Sequence, residues 1–515
     1  MDFASTASDC PQQPSPLQRI PVELLSEIFI SCLDTKFARP DLCEPPLLLT
    51  LVCGRWRRCA TNTARLWSSL MVGDGSYWAN VNDPDARVKR LLSQVAIMKT
   101  WFGRSGTLPL SLSIQVNTEL CEETQSCMQM LRSYFPRRIL RLTINLCSAR
   151  WLLVLSGVQC PVLDELEVTC YASLEHPLSE PLHAPFLRKL TLANTVDWAT
   201  AGLVFAPWRL RELDWRNDGE ADTLFEMLWR CYSSSQRLIT GRDKSSLTSE
   251  IIILPSLEQL DLRSSCSADW RPLLHKLRLS GLRRMILNTS DFWRYGNGIT
   301  DAQSIVASLS YSSPHLTFLS VRFQDPICED AAEFRMLLKT TPRLEVLRLY
   351  AYRCNICRLA SETREIFASL TYDHVTGGYQ SLLPNLSELM IACQCNQDVC
   401  PSMLDVETML RSRVGSEGAT SRARLRFVRI SLNAVPSQWC ARWHDLHSGW
   451  IIRDLHDGRA GTISHRTKMD LTKDCKSRPT GWIGGLKPPS QLARLTKWIV
   501  RKGRNFRQVL SRTTR

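Results

Sequence analysis

The sequence predicts an α/β fold: a small three-helix unit at the N-terminus, then an irregular solenoid of strand–turn–helix repeats carrying a curved parallel sheet. Three observations carry this reading. Two closely spaced apolar segments, 17–33 and 47–70, follow a polar, proline-rich start. A Pro-x-Leu-x-x-Leu-x-Leu pattern then recurs through the middle of the 515 residues. Many of the intervals between its copies carry helical spacing.

Composition bounds the possibilities. Apolar residues make up 44% and charged residues 22%, as in an ordered globular protein. The length suits two or three domains, or one long solenoid. The opening "MDFASTASDCPQQPSP" lacks a basic region followed by an apolar run, and no stretch of about 18 consecutive apolar residues occurs. The expectation is a chain with neither secretory signal nor membrane span, working in the cytoplasm, the nucleus or both. In that reducing setting the 20 cysteines read as small buried hydrophobes, not as a disulfide framework. Net charge is +14, but residues 411–515 hold 23 Lys and Arg against 6 Asp and Glu. The other 410 residues carry −3, so the basicity does not mark the whole chain as nucleic-acid-binding.

The elements follow in order. Pro21 suits the first helical position, where a missing N–H costs nothing, and Glu23 and Glu27 favour the early helix dipole. Leu24 and Ile28 share one face of this helix; Leu25, Phe29 and Leu33 share an adjoining one. A second apolar segment runs from Leu47 to Trp56. A third short helix is expected through "TNTARLWSSL", with Thr61 or Asn62 as its cap. Three helices in about 55 residues bury too little surface to stand alone. Their apolar residues also point more than one way, so one side closes a small core and the other needs a cover. A further helix is expected through Val88, Leu91, Leu92, Val95, Met98 and Trp101, stopping at Gly103, with "TLPLSLSI" alternating as a strand behind it.

The repeat appears as "PVLDELEV" (161–168), "PFLRKLTL" (185–192), "PSLEQLDL" (255–262), "PHLTFLSV" (314–321), "PRLEVLRL" (342–349) and "PNLSELMI" (384–391). Looser copies are "ILRLTI" (139–144), "PWRLRELDW" (207–215), "LRRMIL" (282–287) and "LRFVRI" (425–430). The last four residues of each unit alternate apolar and polar, which predicts a short strand. Proline at its entrance removes no ladder hydrogen bond. Segments such as "DTLFEMLWRCY" (222–232) and "EDAAEFRMLLKTT" (329–341) predict intervening helices. Each unit hides its leucines only against neighbours, so the units are stable only when stacked.

Two family resemblances sit on these residues. The repeat units resemble leucine-rich repeats over about 139–435. They depart from that family where its polar Asn or Cys would follow the strand, for Tyr171, Thr195, Ser265, Tyr352 and Gln394 stand there, and irregular loops are expected. Residues 17–73 resemble an F-box, through Ile20-Pro21, Glu23-Leu24-Leu25, Ile28, Leu51-Val52-Cys53, Trp56 and Leu66-Trp67. The linker Asp34–Pro46 is longer than the compact form of that motif. The helix, Arg-Ser-Gly and strand of 83–116 resemble the junction in basidiomycete F-box proteins. The F-box resemblance implies docking on the Skp adaptor of a cullin-RING ubiquitin ligase core, with an unknown target protein held by the repeats. Carried over by motif, Ile20, Pro21, Leu24, Val52, Cys53 and Trp56 would meet the adaptor, and Leu25, Ile28 and Trp67 would serve either the adaptor or the core.

No residue set for catalysis stands out. G-x-x-x-x-G-K-[ST], H-E-x-x-H and G-x-S-x-G are missing from the sequence, and the expectation is a protein that is not an enzyme, with no cofactor, metal or small-molecule substrate. Cys354, Cys357, Cys393, Cys395 and Cys400 read as structural cysteines in preference to zinc ligands, and Cys440, His444, His447 and His456 fit no familiar zinc spacing. Residues 1–16 read as a disordered start, 74–435 as the linker helix and repeats, and 436–515 as a basic, partly disordered tail. Within that tail Leu492, Leu495, Trp498, Ile499, Phe506, Val509 and Leu510 could line a basic amphipathic helix, the only place where nucleic acid or an acidic membrane surface is envisaged. The alternative to a ligase subunit is a non-catalytic repeat scaffold for protein or nucleic acid outside ubiquitination.

Overall fold

The computed structural model describes residues 19–33, 36–73, 84–116, 132, 138–146, 155–170, 180–193, 203–216, 221–240, 251–264, 271–289, 309, 315–323, 331–351, 367–371, 382–393, 408–410, 412–413, 425, 427–432, 450–455 and 460–466. All of these fall in one compact unit, Met1–Thr467; the second unit, Lys468–Arg515, lies outside the described residues, as do residues 1–18.

Helices α1 (Val22–Ser31), α2 (Leu47–Thr50) and α3 (Gly54–Asn62) open the chain, and a turn of 3₁₀-helix (Ala64–Trp67) follows. Strand β1 (Ser69–Gly73), helix α4 (Pro84–Arg104) and strands β2 (Leu110–Val116), β3 (Ile139–Leu146) and β4 (Glu165–Cys170) come next. Then come β5 (Leu182–Ala184), β6 (Lys189–Ala193), β7 (Leu203–Phe205), β8 (Glu212–Arg216), β9 (Ile252–Ile253), β10 (Gln259–Ser264) and β11 (Leu277–Arg278). The rest are β12 (Arg284–Thr289), β13 (Phe318–Phe323), β14 (Val346–Ala351), β15 (Glu388–Cys393), β16 (Phe427–Leu432), β17 (Trp450–Leu455) and β18 (Ala460–Arg466).

Among the described residues these strands build an α/β fold on a 14-stranded sheet in the order β1-β2-β3-β4-β6-β8-β10-β12-β13-β14-β15-β16-β18-β17. Every pairing from β1 through β16 is parallel; β18 and β17 close the order antiparallel. The ten repeat copies each end in one of these strands, as their alternation predicts. Register makes the leucine pattern visible as columns. One runs Leu70, Leu112, Leu142, Leu166, Leu190, Leu213, Leu260, Met285, Leu319, Leu347, Leu389. The residues two along form a second, from Val72 through Val168, Trp215 and Leu287 to Ile391, and both columns are buried. At roughly 1.5–3 kcal/mol for each fully buried leucine, these columns supply much of the driving force for stacking.

The entrance to each strand explains the proline. The N–H of Leu163, Leu187, Leu210, Leu257, Leu344 and Leu386 donates to the carbonyl three residues back, at 3.1–3.3 Å. In all of these but the Leu210 turn, whose acceptor is Pro207 itself, proline therefore occupies the second position of a β-turn, where its fixed φ fits and no N–H is wanted. Ser280-Gly281 replaces it once: a Cβ on Gly281 would meet the Pro255 carbonyl oxygen at 2.4 Å, so only glycine fits against that backbone. Beyond the turn, two consecutive N–H groups share one carbonyl of the preceding unit. Arg188 and Lys189 donate to Asp164, Arg211 and Glu212 to Arg188, Glu258 and Gln259 to Arg211, and Arg283 and Arg284 to Glu258. The same hook continues through Arg283, Thr317 and Glu345.

The predicted helices are present as Ala221–Thr240, burying Leu224, Met227, Leu228 and Cys231 at i, i+3, i+4 and i+7, and as Ala331–Thr340, burying Leu337 and Leu338. One expectation is corrected, and strands at either end of the sheet add to what the sequence located. The segment from Leu47 breaks at Cys53, whose sulfur accepts the Trp56 N–H at 3.4 Å and caps α3, so Thr61 and Asn62 end a helix that they were expected to start. Residues 69–73 form a strand paired with β2, so the N-terminal unit runs into the sheet with no break at 73. The sheet also continues past 435 into β17 and β18, within the region read as a tail. The post-strand positions Tyr171, Thr195, Ser265, Tyr352 and Gln394 lie outside the described residues.

Candidate partner-binding surface

The N-terminal helices have an inner side and an outer side, and the inner side is filled by this chain itself. Leu25 and Phe29 of α1 enter the core with Leu49, Cys59, Ala60 and Leu66. Trp67 is 0% exposed: its indole N–H donates to the Ala60 carbonyl at 2.8 Å, and Trp101 of α4 stands edge-on to it with centroids 4.8 Å apart. Trp101 in turn donates to the Ser69 carbonyl at 3.0 Å. The linker joins in. Phe37 and Ala38 are buried, the Met71 N–H donates to the Ala38 carbonyl at 2.8 Å, and Lys36 pairs with Glu165 of β4 at 3.1 Å. What reads as a tolerant loop is thus a strap along the first edge of the sheet.

The motif residues divide accordingly. Leu25, 1% exposed, and Trp67 belong to the interior and have no surface left to offer, and Trp101 of α4 packs on Trp67. Pro21 stands at the α1 N-cap, one residue before the expected place, and is exposed with Leu24 (57%) and Val22 (51%). Leu51 is 41% exposed at the end of α2, and Cys53 is exposed beside it. Ile20, Ile28, Val52 and Trp56 are half-buried. Trp56 leans on Phe29, with centroids 5.0 Å apart, which ties α3 to the inner face of α1.

Side-chain chemistry brings the two halves of the motif together. The Arg55 guanidinium donates to the Ile20 carbonyl, so the start of α3 meets the start of α1. Deeper in, Thr63 donates to Ser26 Oγ at 3.0 Å, and Ser26 Oγ lies 3.3 Å from Cys59 Sγ. The outer side therefore presents Pro21, Val22, Leu24, Leu51 and Cys53 on a braced helix pair. Such exposed apolar side chains on a rigid base suit a protein partner. Val22 at the first turn of α1 and Leu42 in the linker are also more than half exposed, and the motif marks neither.

Among the described residues no group of three or more His, Cys, Asp or Glu side chains could hold a metal, and no helix is long and apolar enough to cross a membrane. Cys354, Cys357, Cys395, Cys400, Cys440, His444, His447 and His456 lie outside the described residues, as does the amphipathic segment 490–510. The chain matches no protein-family model and no curated protein.

Proposed function

We propose that this chain is the substrate-recognition subunit of a Skp–cullin–F-box ubiquitin ligase. An F-box at α1 to α3 holds the Skp adaptor, and a leucine-rich-repeat-like solenoid, built on the parallel sheet, presents a surface to a target protein. The observation that supports this most is the exposure of Pro21, Leu24 and Cys53, three of the residues that the F-box motif assigns to the adaptor, with Val22 and Leu51 exposed beside them. The chain performs no chemistry in this reading. It raises the effective concentration of the target near a ubiquitin-loaded enzyme elsewhere in the assembly.

The test uses surface positions, so that folding is left intact. Leu24→Arg with Leu51→Arg is expected to lower capture of the chain by a purified Skp adaptor at least tenfold, with an unchanged circular dichroism spectrum. Equal capture of wild type and double variant would refute the assignment. A repeat scaffold acting outside ubiquitination would show no adaptor capture in either form.

A further inference from the structure

The face of the sheet opposite the leucine columns repeats one kind of contact. Arg216 forks onto Asp214 two residues back on β8, and Arg263 does the same to Asp261 on β10, through Nε at 2.8 Å and Nη2 at 2.5 Å. On β14, Arg348 reaches across to Glu388 of β15, through Nε at 2.8 Å and Nη2 at 2.6 Å. The first two are planar two-point clasps of a carboxylate by a guanidinium, and the third brings two guanidinium nitrogens onto one oxygen, Oε1 of Glu388.

Arg284 of β12 breaks the series. Register places Gln259 and Phe318 beside it on the neighbouring strands and Ile286 two along on its own, and the carboxylate diagonally across on β10, Asp261, is already clasped by Arg263. Among the described residues its contact is with a ring: the guanidinium carbon lies 3.6 Å from the Phe318 centroid, with that of Arg348 5.2 Å from the same centroid. Phe318 is consequently only 9% exposed although it stands on the charged face. Desolvation, and then the neighbouring Arg348, push Arg284 below its ordinary pKa, and Arg263 adds to this; Asp261 and Glu388 oppose it from a distance, each already engaged by its own arginine. Holding a cation against other cations without a counter-ion is costly, and an incoming anion would relieve that cost.

We propose that this part of the sheet binds an acidic peptide segment of a partner protein, one Asp or Glu carboxylate taking the vacant two-point clasp on Arg284. The two filled clasps and the Arg348–Glu388 pair on the same face point to carboxylate chemistry. Nucleic acid is a poorer fit. Phe318 is capped by two guanidiniums and cannot stack on a base. The proposal deepens the receptor reading by naming what the target offers, yet its test does not depend on the N-terminal helices.

The full chain is titrated with a fluorescently labelled 12-residue peptide of alternating Glu and Gly, and with its Gln counterpart. Saturable binding of the Glu peptide is expected, weakening with salt and at least tenfold tighter than that of the Gln peptide. Arg284→Gln should weaken binding about tenfold, and Arg284→Lys should also weaken it, because an ammonium loses the fork. Gln259→Glu keeps every arginine and fills the slot internally, so it should compete the peptide away while folding normally. Each variant should still be captured by the Skp adaptor as wild type is, which separates this claim from the receptor reading. Equal binding of Glu and Gln peptides, undiminished binding by Gln259→Glu, or preferential binding of a phosphoserine peptide or a single-stranded oligonucleotide would each overturn the proposal.

Discussion

The N-terminal helices and the repeats treat leucine by opposite rules. From Leu142 to Leu389 every leucine of the sheet columns is buried, because the next unit of the same chain lies against it. In the N-terminal region Leu25 and Leu66 are buried, yet Leu24, Leu42 and Leu51 face out. The repeats complete their core from within, whereas α1 to α3 complete only the side that meets β1 and α4. Exposed apolar side chains occur in the repeats too, at Val162, Phe186, Ile253 and Met336, but singly along the chain, whereas Val22, Leu24, Leu42 and Leu51 fall within thirty residues, and the receptor reading rests on that grouping.

Cysteine chemistry draws the contrast most sharply. Burial pushes the thiols of Cys160 and Cys231 up to about 12, so at pH 8 roughly one part in ten thousand is thiolate. Cys43 and Cys53 of the N-terminal region are exposed. Alkylation followed by mass spectrometry should label Cys43 and Cys53 within minutes and leave Cys160 and Cys231 unmodified until the chain is denatured. Comparable rates in the two regions would break the comparison.

Stability comes next. Trp67→Ala, which removes a buried ring and its bond to Ala60, is expected to cost about 3–5 kcal/mol, and Leu260→Ala in the middle of its column about 2–5 kcal/mol. Urea denaturation followed by circular dichroism reads both. Gly281→Ala forces a methyl into the Pro255 carbonyl and should cost about 1–3 kcal/mol by the same measurement. Leu24→Ser should shift stability by no more than about 0.5 kcal/mol, being surface in the free chain. A loss near that of Leu260→Ala would mean that Leu24 is already covered.

Much of the frame could be read from the residues. Spaced leucines with a period of two located ten strands, and in seven of them a proline at the entrance marked the turn as well. Helical spacing correctly set Leu24 apart from Leu25. Three things escaped. Ser69–Gly73 is too short to betray a strand once the preceding residues look helical, and without it Trp67 could not be assigned to the interior. Cys53 is an unusual helix cap, so the break in the second segment gave no warning. The vacant place beside Arg284 depends on which residues stand opposite one another, and that is a property of register, not of any local pattern.

The shared carbonyl that ties each unit to the one before it has a consequence for how such a chain changes over generations. Because the tie reaches only the adjoining unit, the stretch between two ties is free to lengthen or shorten, and the intervals here vary from 23 to 47 residues. A duplication or excision of one whole unit would leave every other tie as it stood. The protein can therefore try new loops and new reach without renegotiating its frame.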